Sequence, residues 1–317
     1  MPSLNNQFFN AMHSCIAYGE SKRSYREQTG RKKVDKIFSH QSYETVQKDA
    51  KDFAKYLKKN GISRANEIRP AHIEGFLKYK SATCNNNTLT RIRGSLHSLG
   101  LFCGKRYKSV DPENFIISNS KMPYSSLSDG RKIGRPMPED TFDRLFKLVK
   151  DSDSLKDSRL YKVMALVRHT GVRIDEAANQ KMSDFHLDEK GRFGFGYITV
   201  SDPKHGRARD IHIHTRAGKE ELQEALNRRG GNEDRYVCSN KDTISNNFAQ
   251  LKKSAGVSVE TRLQGMHSVR KLYAQDFYSW YREKHTKRET IQATNLQLGH
   301  SATRDVSELR TYVMDIY

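Results

Sequence analysis

Four side chains near the C-terminal end of this chain, with two more upstream, have the types and order needed to attack a phosphodiester. His267-Ser268-Val269-Arg270 is followed by Leu298-Gly299-His300 and then by Tyr312. About a hundred residues upstream, Thr170-Gly171-Val172-Arg173-Ile174-Asp175-Glu176 supplies a second arginine and a carboxylate. Direct displacement at phosphorus needs a nucleophile, cationic donors on the non-bridging oxygens, and an acid for the departing sugar oxygen. Tyrosine is a weak nucleophile at neutral pH, so neighbouring cations must favour its phenolate. Two arginines, two histidines and a late tyrosine meet these needs without a metal.

Each residue also has a plainer reading. Arg173 follows a Gly171 helix stop, where a guanidinium at a turn can fork onto phosphate oxygens, and Glu176 lies three residues on, on the same helical face, able to orient it. The same pair could be an ordinary surface ion pair. His267 and Arg270, three apart, project from one face of a helix; a lone HxxR is commonly structural. His300 after Gly299 can be aimed inward by a tight turn, or can serve as a cap. Lys204, in Ser201-Asp202-Pro203-Lys204-His205-Gly206-Arg207, sits where a hairpin tip could carry it into a DNA groove to protonate a leaving oxygen; without context it is an exposed turn lysine. Ile211-His212-Ile213-His214 alternates like a strand, with outward-facing histidines and no third ligand nearby, which makes a poor metal site.

The elements that must hold these groups can be read from periodicity and punctuation. Residues 1–40 are polar and basic with weak periodicity around Phe8, Phe9 and Met12, and read as a basic extension in which Arg31-Lys32-Lys33 is either a phosphate-contacting turn or solvated surface. From residue 41 to 120 three amphipathic helices are predicted. One is capped by Ser42 and carries Val46, Phe53, Ala54 and Leu57 to a stop at Gly61; one starts at Pro70; one is capped in Asn85-Asn86-Asn87 and runs through Leu89, Ile92, Leu96 and Leu99 to near Gly104. Their exposed faces carry Lys48, Lys51, Lys55, Lys58, Lys59, Arg91 and Arg93. Residues 121–136, with Arg131, Lys132 and Arg135 among Ser, Gly and Pro, read as a basic linker. Residues 137–317 read as a second, mainly helical domain with a β-hairpin formed by Tyr197–Val200 and Asp210–Ile213. The fold class is therefore mainly α with a small β-hairpin or sheet.

Charge selects the partner class. The formal net charge is +19. In residues 1–125, 22 Lys and Arg stand against 10 Asp and Glu, a net of +12 that leaves +7 for the remainder. Both parts thus favour a polyanion through phosphate contacts and counterion release. Cys15, Cys84, Cys103 and Cys238 form no CxxC pair, which argues against zinc and against a disulfide framework and suits a reducing compartment. No apolar stretch reaches the roughly 20 residues needed to span a bilayer, and the polar N-terminus lacks a signal-peptide core. A cytoplasmic location in a bacterium or phage host follows as an expectation.

In order, TGxRxxE, a hairpin lysine, HxxR, LGH and a late tyrosine resemble the catalytic domain of the tyrosine recombinase (phage-type integrase) family over roughly residues 137–317. By pattern and position, the helical segment before it is similar to that family's core-binding domain. The resemblance implies that Tyr312 attacks DNA to form a 3′-phosphotyrosine link and release a 5′-hydroxyl. Arg173, Arg270 and His300 would stabilise the transition state, Lys204 would be the leaving-group acid, and His267 would assist proton transfer. Lys55, Lys59, Arg91, Arg93, Arg131, Lys132, Arg135 and Arg207 are the candidate DNA contacts. Four protomers, monomeric when free, would exchange strands of double-stranded recombination sites through a Holliday junction. No cofactor or metal is implied, and there is room for an accessory DNA-bending or directionality factor.

Three departures from the family pattern stand out. Lys271 occupies a position where relatives often carry histidine. The interval from His300 to Tyr312 is about three residues longer than the family spacing, with Arg304-Asp305-Val306-Ser307-Glu308 as the segment that absorbs it. Five residues follow Tyr312, where many relatives use a longer tail to dock onto a neighbouring protomer; Tyr317 is a competing nucleophile. A DNA-binding protein of the same fold that no longer cuts, and a type IB topoisomerase-like enzyme, are the alternative readings. Every catalytic position being filled argues against the former, and the two-domain length against the latter.

Overall fold

The computed structural model describes residues 2–30, 34–127, 135–201, 208–258, 264–303, 306–314 and 316. It divides into two compact units, residues 1–131 and 132–317.

The first unit holds α1 (Leu4–His13), α2 (Lys22–Thr29), α3 (His40–Lys59), α4 (Pro70–Ser81) and α5 (Asn86–Arg106). Phe8, Phe53, Phe76, Leu96, Leu99, Phe102 and Phe115 are fully buried in its core. The segment 1–40, read from the sequence as an extension, contributes α1 to this core through Leu4, Phe8, Ala11 and Met12. The side chain capping α3 is Ser39, not Ser42: its hydroxyl accepts the Ser42 N–H at 3.2 Å, so the helix starts three residues earlier. Asn85 caps α5 by accepting from the Thr88 N–H at 2.9 Å, and Pro70 opens α4, because proline's fixed φ and missing N–H suit a first helical position.

The second unit holds α6 (Glu139–Lys150), α7 (Leu155–Thr170), α8 (Ile174–Asn179), α9 (Arg216–Asn227), α10 (Lys241–Ser254), α11 (Met266–Arg282), α12 (Lys287–Gln297) and a single turn, α13 (Val306–Leu309). A three-stranded antiparallel sheet accompanies them: β1 (Phe185–His186), β2 (Tyr197–Val200) and β3 (Arg209–His212), in that order. The two longer strands are the expected hairpin, paired Tyr197 with His212 through Val200 with Arg209; β1 adds a short third strand. The buried α7, carrying Leu160 to Val167, packs on α11 and α9 and forms the axis of the main core.

Both ends of the segment read as a linker are tied down within their own units. Ser125 and Asn86 exchange two hydrogen bonds, of 2.9 and 3.1 Å. Met137 is buried, and its N–H donates to the Ser268 carbonyl at 3.2 Å. The strand histidines also differ from expectation. His212 is half-buried, its ring accepting the Arg192 N–H. His214 is buried among Tyr273, Phe277 and Trp280, because the chain turns off the sheet just before it and drops into the aromatic cluster. The four cysteines are free.

Candidate active site

Arg173 is set by a helix stop followed at once by a helix start. Thr170 is fully buried, and its hydroxyl donates to the Leu166 carbonyl at 2.5 Å, closing α7. Gly171 then adopts φ +63°, and a Cβ there would run into the Tyr273 ring. Glycine meets both demands, the left-handed backbone and the close approach. Arg173 is the N-cap of α8. Glu176, one turn on, accepts its backbone N–H at 2.9 Å and its Nη1 at 3.0 Å.

His267 and Arg270 lie on α11. Arg270 is among the most buried side chains of the protein; one of its Nη atoms donates to the Gly171 carbonyl and the other to the Leu298 carbonyl, the latter at 2.6 Å. Its Nε is buried without a hydrogen-bond partner among the described residues. Burial and then the nearby Arg173 charge pull its pKa down to about 10, still cationic at neutral pH.

The Leu298-Gly299-His300 segment ends α12 in a Schellman turn. The Gly299 N–H donates to the Leu296 carbonyl at 2.9 Å and the His300 N–H to the Asn295 carbonyl at 2.7 Å, with Gly299 at φ +70°. That pattern satisfies orphan helix carbonyls and reverses the chain. Leu298 is anchored in the core, and His300 turns back, buried, towards the site.

Tyr312 is held from both sides by Leu309 and Val313, fully buried against α11 and its aromatic neighbours, while the Met314 N–H donates to the Gln275 side chain at 2.8 Å. Its ring, half-exposed, lies 5.3 Å from that of His267 and 5.2 Å from that of His300, both edge-on. The Arg270 guanidinium carbon is 5.4 Å from the ring centre and Lys271 Nζ 5.9 Å. Partial burial, then the charges of Arg270, Lys271 and Arg173, push the His267 pKa below the usual imidazole range. At neutral pH the His267 ring, partly open to solvent, is therefore a neutral imidazole able to accept a proton.

Arg173, Glu176, His267, Arg270, His300 and Tyr312 are thus brought together in the second unit. Lys204 and Arg207 lie outside the described residues, as do Arg131, Lys132, Arg31-Lys32-Lys33, Arg304-Asp305 and Tyr317. Arg135 is exposed. In the first unit Lys55 and Lys59 are exposed on α3. Arg91 is held in a fork by the buried Asp49, at 2.5 and 3.1 Å, and Arg93 donates to Asn119. Among the described residues no cluster of three or more His, Cys, Asp or Glu could hold a metal ion, and no helix is long and apolar enough to cross a membrane.

Sequence reasoning missed Arg209, the first residue of β3. Its Nη1 and Nη2 donate to the two oxygens of Glu176 at 3.2 and 2.9 Å. Burial alone would raise the Glu176 pKa; the Arg209 bond and charge, then Arg173, outweigh it and hold the carboxyl below the usual range. The spacing to the hairpin lysine was the available signal: Arg209 lies five residues after Lys204, on the opposite strand from Val200.

No protein-family model matches the chain, and no curated protein sequence matches it. Solved structures do. A lambda integrase tetramer bound to a Holliday junction aligns over 93% of this chain and 76% of that one, at 18% identity and a TM-score of 0.61. The XerH site-specific recombinase on palindromic difH substrate, in a post-cleavage complex, aligns over 98% and 90%, at 15% identity and a TM-score of 0.62. The Tn1549 transposon integrase in complex with transposon right end DNA aligns over 98% and 94%, at 11% identity and a TM-score of 0.58.

Proposed function

We propose that this chain, which has the fold shared by lambda integrase, XerH and the Tn1549 integrase, is a site-specific DNA recombinase acting through Tyr312. The observation that carries the reading is local: one tyrosine lies edge-on to two imidazoles and beside a buried arginine, with a second arginine held by a carboxylate in the same unit.

The Tyr312 phenolic oxygen attacks phosphorus and its proton passes to His267. Arg173, Arg270 and His300 meet the charge that builds on the non-bridging oxygens. The bond to the 5′ sugar oxygen breaks, and Lys204 gives that oxygen its proton, leaving a 3′-phosphotyrosine and a 5′-hydroxyl. The link conserves the energy of the broken ester, so a 5′-hydroxyl from a second duplex can reverse the step and join new strands. Repeated on both strands by four protomers, this passes through a Holliday junction and integrates, excises or resolves an element. Lys55, Lys59, Arg91 and Arg93 in the first unit, with Arg131, Lys132, Arg135 and Arg207, contact the DNA backbone.

Product type tests the reading. Supercoiled plasmids carrying DNA from the flanks of the encoding gene should yield joined recombinants in the absence of added metal or nucleotide. Relaxed topoisomers alone would point to a topoisomerase-like enzyme. A bound complex without strand breakage would point to an architectural or regulatory protein.

A further inference from the structure

Arg209 has no step in the chemistry above, yet it touches two separate arms of the site. On one edge its fork is spent on Glu176, at 3.2 and 2.9 Å. The Glu176 side chain is 1% exposed and is also the partner of Arg173. On the other side the guanidinium lies against Gly299: a Cβ there would come within 2.6 Å of Cζ, 2.7 Å of Nε and 2.9 Å of Nη1. Gly299 is the turn that directs His300 to Tyr312. The Arg209 side chain is 11% exposed, whereas that of Arg173 is 34% exposed.

Two arginines therefore share one buried carboxylate unequally. An ionised carboxylate without water needs a full set of donors. If Arg173 supplied them alone, its fork would be consumed facing inward. Arg209 covers both oxygens from the buried side, so Arg173 gives Glu176 one Nη and keeps its remaining donors towards solvent. The same planar group, through its contact with Gly299, sets how far the His300 turn can approach β3.

We propose that Arg209 is a positioning residue for strand transfer: it frees the Arg173 fork for phosphate and fixes the spacing between the Arg173–Glu176 arm and the Gly299–His300 arm. This rests on the recombinase reading. Arg209→Met should slow covalent adduct formation on nicked duplexes tiled across the flanks of the encoding gene by about 100-fold at saturating DNA, the scale of ångström misplacement. Half-saturation by DNA should change little. Arg209→Lys, which keeps the charge without the fork, should recover part of that rate. Glu176→Gln should resemble Arg209→Met, and the double variant should be no slower than the slower single one.

A second measurement needs no activity. The His300 ring resonances in a histidine-labelled protein should shift in Arg209→Lys, while those of His186, on the opposite edge strand, should not. If the Met variant fails to fold, as judged by its melting curve, the Lys variant carries the test. Wild-type rates and an unmoved His300 in Arg209→Lys would overturn the inference. If the wild-type chain forms no adduct on any duplex while His300 responds to Arg209→Lys, the recombinase reading fails and only the spacing of the two arms by Arg209 stands.

Discussion

Arg270 reaches across 99 residues of sequence to donate a hydrogen bond to the carbonyl of Gly171, and its other Nη donates to that of Leu298. A side chain assigned to phosphate is thus also the tie between the turn that ends α7 and the turn that ends α12. Removing it leaves two carbonyls short of donors and opens a void beside Tyr312. Arg270→Ala should destabilise the second unit by about 2–4 kcal/mol and abolish adduct formation. Urea unfolding read by tyrosine and tryptophan fluorescence checks the first; detergent gels of DNA adducts check the second.

Gly171 is constrained twice, by φ +63° and by the Tyr273 ring where a Cβ would stand. Gly171→Ala should cost about 2–4 kcal/mol, combining left-handed strain with overpacking. A fall in melting temperature without change in helix content in circular dichroism is the expected result.

His214 is 7% exposed, packed among Tyr273, Phe277 and Trp280, and its pKa is pushed down to about 4, by burial first and by the Arg168 charge second. Its folded pKa lies below the unfolded value of about 6.5, so below that pH the unfolded chain binds more protons. Stability contributed by neutral His214 is full above about pH 6.5 and is lost as pH falls towards 4. The loss should reach about 2–3 kcal/mol at the acid end. His214→Phe should flatten that part of the stability–pH curve, measured by chemical unfolding at a series of pH values.

Much of the site is legible because its determinants are local. The Gly171 stop, the Arg173–Glu176 spacing, the His267–Arg270 spacing on α11 and the Schellman glycine at 299 are each fixed within a few residues of chain. Arg209 was not legible as a partner of Glu176, since 33 residues and a hairpin separate the two. α12 escaped hydrophobic periodicity because most of its buried face is polar: Thr290, Thr294, Asn295 and Gln297. Thr290 and Thr294 satisfy their hydroxyls on carbonyls one turn back, at 2.9 and 2.8 Å. In α1 the buried Leu4, Phe8, Ala11 and Met12 do follow helical spacing, but Asn5, Asn6, Gln7 and Asn10 among them dilute the pattern.

Lys204 is assigned to the leaving oxygen. A duplex in which sulfur replaces that bridging 5′ oxygen has a leaving group of much lower pKa, which needs no acid. Lys204→Ala should therefore be slowed by about 100-fold on ordinary DNA, the lower range for general acid catalysis, and return towards wild-type rates on the sulfur-substituted duplex. Equal loss on both substrates would remove Lys204 from that role.

With a net charge of +19, DNA affinity should fall by about 1,000-fold or more between 50 and 200 mM salt, as for 6–10 phosphate contacts. Anisotropy titrations on fluorescent duplexes give the slope.

The most direct test of the central claim is covalent capture on nicked duplexes from the flanks of the encoding gene, followed by peptide mapping of the adduct. The account predicts a 3′-phosphate joined to Tyr312, present in the wild-type chain and absent in Tyr312→Phe, with DNA binding retained in both. An adduct that maps to another residue, or one that persists in Tyr312→Phe, would contradict it.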